Sequence, residues 1–510
     1  MGDGAGERTS ATAAGDPPAD SRRHFVLAAA LMAMFMAAVE ATIVATAMPT
    51  IVASLGSFHL FSWVFAAYLL TQAVTVPIYG RLADLYGRKR VFHAGAALFL
   101  AGSALCGFAW NMESLIAFRG LQGLGAGAIL PIAMTIVGDI YGTADRARIQ
   151  GYVASVWGFS AVVGPSLGAV LVQQFSWALI FWINLPIGVA AMAMMAAFLK
   201  ERPHAQQHAI DTLGAVLLVV GAGALMLALV QAVHLGAALV AILLAVAAVA
   251  LAWLFRHERR APEPMMPPWL WRQAILVTGN LGCLAIGTVM MGVTVFLPAY
   301  VQGVMGRSPA VAGFALTFMS IGWASSGSVA GRLMLRFAFR SVAALGAACL
   351  VAGNAVLFSL SPDSGLAMAI VGAFVVGCGM GFSNTTYIVS VQGSVGFQQR
   401  GAATSSIMFM RCLGQAFGAA LFGATVNLSL AIALPGQADA LDRLMEPAQR
   451  AAAAADELAR LAVAVASALR SAYVLAAVIG LLALGLALRL PAGLNAANAA
   501  APRGRAPVRT

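Results

Sequence analysis

Apolar runs of about 20 residues follow one another along nearly the whole of this 510-residue sequence. Each is long enough to cross the roughly 30 Å hydrocarbon core of a bilayer. They lie near 25–48, 59–79, 91–110, 114–138, 150–172 and 178–199, then 212–234 and 236–255, then 273–300, 309–331, 341–360, 366–390, 402–430 and 471–489. The grouping is six, two and six. It predicts an all-α polytopic membrane protein with fourteen transmembrane helices: an N-terminal six-helix bundle over 25–199, an inserted pair with its linkers over 200–272, and a C-terminal six-helix bundle over 273–490. The ends, 1–24 and 491–510, are rich in polar, Ala, Pro or Arg residues and are expected to be disordered. The run after Arg22 and Arg23 is too long for a secretory signal, and further spans follow it.

Charge tests the topology. With both termini cytoplasmic, 23 of the 30 Lys and Arg fall on inside segments; five (Arg307, Arg443, Arg450, Arg460 and Arg470) fall outside, and Arg119 and Arg411 fall within spans. A miscounted span would scramble that split for everything after it, so an even number of spans agrees with the positive-inside rule. At 61% hydrophobic and 10% charged residues, the composition excludes a soluble domain of this size. The net charge of +11 is spread as single residues between apolar runs, which argues against a nucleic-acid partner. All five cysteines sit inside apolar segments with no metal-binding spacing and read as small buried hydrophobes. No Walker loop, nucleophile–base set or paired catalytic carboxylates can be assembled. The expectation is therefore a protein that is not an enzyme, needs no cofactor, and is not an ATP-driven pump.

Between the second and third runs lies Gly80-Arg-Leu-Ala-Asp-Leu-Tyr-Gly-Arg-Lys-Arg90, four cations and one carboxylate in about ten residues. A connection that short holds two helices antiparallel, and its cations place it inside. Gly80 and Gly87 permit a tight turn and close helix approach; Asp84 can cap a helix end or take an Arg, with Arg88 beside it. A worn copy, Gly331-Arg-Leu-Met-Leu-Arg-Phe-Ala-Phe-Arg340, follows the second span of the later group of six. Pro49 and Pro298 likewise close the first span of each group.

The Gly80–Arg90 loop resembles the loop after the second span of the major facilitator superfamily. Further stretches narrow the resemblance to its fourteen-span drug:proton antiporters of the EmrB/QacA type. Val39-Glu-Ala-Thr-Ile-Val-Ala-Thr-Ala-Met-Pro49 is similar to their first-span signature, with Glu40 where Asp is usual. Arg119-Gly-Leu-Gln-Gly-Leu-Gly-Ala-Gly-Ala128 is similar to the fourth-span motif. Gly158, Gly164, Pro165 and Gly168 form the fifth-span antiporter motif, with Ala169 where a second Gly is common. Phe181-Trp-Ile-Asn-Leu-Pro-Ile-Gly188 is similar to the sixth span, with Ala178 where an Arg often stands. Arg411 with Gln415 and Gly418 is typical of the second half. The resemblance implies the major facilitator fold, with a substrate site between the two halves near mid-membrane.

A charge inside the bilayer costs about 2.5–3.5 kcal/mol on insertion scales, so Glu40 and Arg119 carry the functional reading. Glu40 lies 15 residues past Phe25, about 22 Å from the inner face at 1.5 Å per residue. That leaves it about 8 Å from the outer side of a 30 Å core. Arg119 enters from outside and reaches the same depth, about 8 Å. Depth thus permits a pair. Such a pair can take a proton when the guanidinium is engaged elsewhere and release it when the pair re-forms. A purely structural bridge is the alternative.

Polar or aromatic positions within spans supply the candidate cavity: Tyr68, Gln72, Gln122, Trp157, Asn354, Asn384, Tyr387, Arg411 and Gln415. The insert has almost no polar side chains and is expected to face lipid. In the outer segment 431–470, Leu458, Leu461, Val465 and Leu469 recur at helical spacing, so the last span is expected to begin outside the membrane; docking of an extracytoplasmic adaptor is the alternative for this segment. The expected whole is a monomeric, multi-pass transporter of a bacterial-type cytoplasmic membrane, exporting hydrophobic or amphipathic small molecules, cations among the candidates, against H+. An importer or facilitator of a metabolite, and a non-transporting sensor or assembly subunit, are the other readings.

Overall fold

The computed structural model describes residues 20–55, 60–201, 211–230, 236–262, 264–361, 364–434 and 455–492, and within them every long element is a helix. The first group comprises α1 (Asp20–Leu55), α2 (Phe61–Tyr86), α3 (Arg88–Gly107), α4 (Met112–Ile140), α5 (Thr143–Gln174) and α6 (Leu179–Phe198, interrupted by a turn at Ile183). The inserted pair is α7 (Thr212–Val230) and α8 (Ala237–Glu258). The last group comprises α9 (Ala274–Ala299), α10 (Pro309–Arg336), α11 (Phe339–Phe358), α12 (Leu366–Ser394), α13 (Arg400–Ala433) and α14 (Ala455–Ala487). Twelve helices among the described residues are long and apolar enough to cross a membrane. The two long helices outside that set are α5 and α10. Gly322, Ser325, Ser326, Gly327 and Ser328 make α10 less apolar, and α10 packs against α5.

Several boundaries differ from the expected ones. Helix α1 begins at Asp20, inside the stretch expected to be disordered, while residues 1–19 lie outside the described residues. Residues 435–454 and 493–510 also lie outside them, so the expectations for the middle of the outer segment and for the tail are not addressed. Helix α14 starts at Ala455, well before the apolar run at 471. Leu461, Val465 and Leu469 on it are buried, and Leu458 packs on the same core, so the stripe read from spacing faces the protein.

The first six helices pack chiefly among themselves, as do the last six. The two sets meet through α2 on α13, α5 on α10 and α12, and α4 on α13. Helix α8 of the insert is mostly exposed, as expected of a lipid-facing element. Helix α7 departs from that expectation: it lies against both α2 and α13, beside the seam between the sets. With apolar residues all round it, its sequence gives no preferred face, and packing decides.

Helix α4 is fixed at one end by a capping box: the Asn111 side chain accepts from the Ser114 N–H at 2.8 Å and the Ser114 hydroxyl accepts from the Asn111 N–H at 3.2 Å. Along it, a Cβ at Gly123 or Gly127 would strike the α2 backbone or threonines, and one at Gly125 would strike the α3 backbone. These glycines let three helices approach at backbone distance. That approach carries Arg119, one turn earlier, into the bundle interior.

Candidate functional site

Glu40 and Arg119 meet. The Arg119 Nη1 donates to Glu40 Oε1 and, at 2.7 Å, to Gln122 Oε1, one turn along α4. The second carboxylate oxygen, Glu40 Oε2, accepts from Asn184 Nδ2 at 2.6 Å. Asn184 also donates to Ser103 Oγ at 3.0 Å, Gln122 Nε2 donates to the same oxygen at 3.1 Å, and that hydroxyl donates to the Phe181 carbonyl at 2.8 Å. The Arg119 guanidinium lies 4.1 Å from the Tyr68 ring centroid. Five helices of the first set (α1, α2, α3, α4 and α6) converge here, and Glu40, Arg119, Gln122, Asn184 and Ser103 are all buried. The charges are therefore paired and bonded, as buried ions must be. Apart from the carbonyls of Phe181 and of Val64, which accepts from Arg119 Nε at 3.4 Å, the partners are side chains, so the Glu40–Arg119 pair can rearrange without unravelling a helix. Tyr68 and Gln122 thus serve the pair directly. In the sequence Asn184 is marked only as part of the Phe181–Gly188 stretch, and Ser103 carries no signal of its own.

Glu40 and Arg119 also line a cavity of about 210 Å³ to which both sets contribute. Its first-set wall includes Tyr68, Gln72 and Trp157; its second-set wall includes Trp323, Arg411 and Gln415. A smaller void beside it, about 20 Å³, is bounded by Trp157, Trp323, Asn384 and Arg411. Asn354 and Tyr387 were expected at the cavity and are absent from both linings. The Asn354 amide donates to the Leu350 carbonyl on its own helix at 2.8 Å, and Tyr387 packs against Gly282 of α9. The helix of Asn354 is almost wholly apolar. The polar run Ser383–Thr386 on the helix of Tyr387 falls on successive positions and so on every face; no amphipathic pattern indicates which face meets the cavity.

Of the fifth-span glycines, Gly158 faces Ala324 of α10 across the seam and Gly164 faces Thr42 of α1. Gly168 is buried, and the Pro165 side chain lies outside the described residues. The motif therefore serves two contacts, one between the sets and one within the first.

Polar ties between the sets gather at the end carrying Asp84. Asp84 Oδ1 accepts from the Gly401 N–H at 3.0 Å and Oδ2 from the Ala402 N–H at 2.8 Å, at the N-terminus of α13. A carboxylate is favoured there by the free N–H groups and the helix dipole. Arg88 Nη2 donates to Asp84 Oδ1 at 2.8 Å and to the Phe397 carbonyl at 2.6 Å, and its guanidinium lies 4.2 Å from the Phe397 ring centroid. Arg88 Nε reaches Asp139 Oδ2 at 3.0 Å, while Arg400 Nη1 reaches Asp139 Oδ1 at 3.0 Å. Gln392 Nε2 donates to the Met134 carbonyl at 3.2 Å. Gly87 takes a positive φ of 98° in the turn between α2 and α3. Just past it, Glu201 caps α3 through the Arg88 N–H at 2.6 Å and the Lys89 N–H at 3.0 Å. Asp139, Arg400, Gln392 and Glu201 were not singled out from the sequence. Charge alone does not reveal partners that lie hundreds of residues apart.

Gly80 lies where α2 crosses α13. A Cβ there would fall on the Ser405 side chain and 2.7 Å from the Gly401 carbonyl oxygen. Gly80→Leu should wedge this end apart. Transport at normal expression should fall at least about tenfold, the overpacking cost being about 1–3 kcal/mol, whereas Gly423→Leu, at an open position, should transport normally. Uptake assays matched for membrane expression check both.

A model described as the Major Facilitator Superfamily matches residues 30–419. The chain is 36% identical over 402 residues to Multidrug resistance protein 3 of Bacillus subtilis (strain 168), covering 78% of each chain. It is 34% identical over 410 residues to Multidrug transporter protein MdtP of the same organism, covering 80% of this chain and 76% of that one. Among solved structures, the human organic anion transporter MFSD10 (TETRAN) is similar in fold, with a TM-score of 0.65 and 14% sequence identity, over 92% of this chain and all of the other.

Proposed function

The chain belongs to the major facilitator superfamily, and from that premise we propose that it is a fourteen-span antiporter of the EmrB/QacA type that exports hydrophobic or amphipathic drugs and toxic compounds in exchange for protons. Family membership makes it a multi-pass membrane transporter and not an enzyme. In the proposed topology α5 and α10 cross the bilayer with the other twelve helices, 25–199 and 273–490 form the two six-helix bundles, 200–272 carries the insert, and both termini are cytoplasmic. The protein works as a monomer with the lipid bilayer as its surroundings.

The observation that carries the reading is the Glu40–Arg119 pair, buried yet set in the wall of a cavity that both bundles line. Between Glu263 and Asp363 there is no acid, and Glu40 is the one placed deep in a span. Protonation of Glu40 would release Arg119 toward Gln122 and the Tyr68 face, and re-forming the pair would expel the proton. Substrate in the same cavity competes for these groups, which couples the two movements. The Asp84 latch holds the inner end shut while the cavity faces outward.

The driving force suffices. A charge crossing 100 mV is worth about 2.3 kcal/mol, and one pH unit adds about 1.4 kcal/mol. One proton per cycle could sustain a gradient of several hundredfold for a neutral compound.

Inverted vesicles test the function. An amphipathic dye should accumulate on energisation and be lost when the pH gradient is collapsed; accumulation unchanged by that collapse contradicts proton coupling. Arg119→Ala should lower the rate of exchange at least about tenfold at matched membrane expression, because it leaves the buried Glu40 carboxylate without its counter-ion.

A further inference from the structure

We propose that Arg411 forms an anion-binding subsite in the cavity and that the substrates handled best are amphipathic organic acids, bound with the carboxylate on Arg411 and the apolar body between Trp157 and Trp323. The proposal rests on the export reading above and names its substrate class.

Arg411 lies within α13 at a depth where an unpaired guanidinium is expensive. No hydrogen bond or ion pair to its side chain is found among the described residues, although it lines both the cavity and the void beside it. The sequence offers it little help: between Glu263 and Asp439 the single acid is Asp363, in the connection between α11 and α12. Glu40 is the one acid in the cavity wall, and its two oxygens are engaged by Arg119 and Asn184. The wall therefore holds two guanidinium groups and one carboxylate, and its uncommitted charge is the positive one on Arg411.

A guanidinium presents a planar fork of donors that fits a carboxylate. Gln415 follows Arg411 by one turn of α13, so both project to the same side. The Gln415 amide nitrogen is directed to the Met290 sulfur at 3.4 Å, placing that thioether in the wall as well. Trp157 and Trp323 flank Arg411 from α5 and α10, with Leu130 and Met408 completing an apolar surround. A small number of polar groups within a mostly apolar concavity is the pattern of a small-molecule site. Here the polar group without a protein partner is a cation, so the complementary ligand carries a negative charge.

The test uses the full chain in lipid nanodiscs at pH 7.5, with naphthylacetate and the uncharged naphthylacetamide titrated by calorimetry and empty nanodiscs subtracted. The acid should bind at least about tenfold more tightly than the amide, as a charge-assisted hydrogen bond to Arg411 requires. Arg411→Gln should bring that ratio to about one, and Arg411→Lys, which keeps the charge without the fork, should retain part of it. A ratio near one in the unmodified protein, or an unchanged ratio in Arg411→Gln, overturns the anion subsite and leaves the export reading intact. Binding of neither probe overturns the subsite together with the amphipath-binding cavity on which it rests.

Discussion

Glu40→Gln should abolish proton-driven accumulation of substrate in vesicles, while Glu40→Asp should retain part of it. The amide is nearly isosteric with the carboxylate and its oxygen can still accept from Arg119 or Asn184, so the helices should pack as before. What disappears is the group that can gain and lose a proton. The substitution also leaves Arg119 without its counter-ion in a buried setting, and breaking such a pair costs about 3–5 kcal/mol. Expression and thermal stability in detergent are therefore recorded beside transport. Downhill exchange of substrate in the absence of a pH gradient should persist, because it needs the cavity but not the proton. Uphill transport by Glu40→Gln under an imposed pH difference would place the proton carrier elsewhere.

The second large effect is expected at the Asp84 latch. Asp84→Asn replaces one acceptor oxygen with an NH2 group that faces the backbone N–H groups of Gly401 or Ala402, so one charge-assisted bond becomes a donor–donor clash. The pairing with Arg88 weakens at the same time. Hydrogen bonds to charged groups contribute about 1.5–3 kcal/mol each, and 1.4 kcal/mol is a factor of ten in population. The state closed at this end should lose at least about tenfold in population. Ser405→Cys reports it, since Ser405 sits against Gly80 in the closed seam. With the five native cysteines replaced by alanine, a membrane-impermeant maleimide should label it at least about tenfold faster in Asp84→Asn than in the parent. Equal labelling and full transport at normal expression would remove the latch role.

Much of this could be read from sequence, and the reason is physical. A membrane span is declared by its length of apolar residues, so helices emerged clearly, while their ends did not. Helices such as α1 and α14 continue beyond their apolar runs, where the hydrocarbon criterion no longer applies. Depth arithmetic placed Glu40 and Arg119 at one level. The same arithmetic could have found Ser103, seven residues before the outer end of its run and thus about 10 Å deep, close to the level of the pair. A lone serine in an apolar helix carries no signal by itself, which is why it passed unnoticed. Helix faces were the weaker inference. Soluble helices advertise a buried face by alternating with polar residues, but a span is apolar on its lipid side too. Asn354, Tyr387 and the docking of α7 were therefore beyond periodicity. The ties from Asp139 to Arg400 and from Gln392 to Met134 join the two halves across about 260 residues, and no local pattern encodes them.

The central claim is that substrate and proton exchange through the Glu40–Arg119 pair, and its most direct measurement is proton movement driven by substrate alone. Proteoliposomes containing a trapped pH-sensitive dye are prepared without any pH gradient or membrane potential, and an outward gradient of an uncharged amphipathic substrate is imposed. Antiport predicts that substrate leaving the lumen draws protons in, so the lumen acidifies with the intact protein and stays at its starting pH with Glu40→Gln. Substrate efflux through the intact protein with no change in lumenal pH, or acidification that persists in Glu40→Gln, would contradict the account.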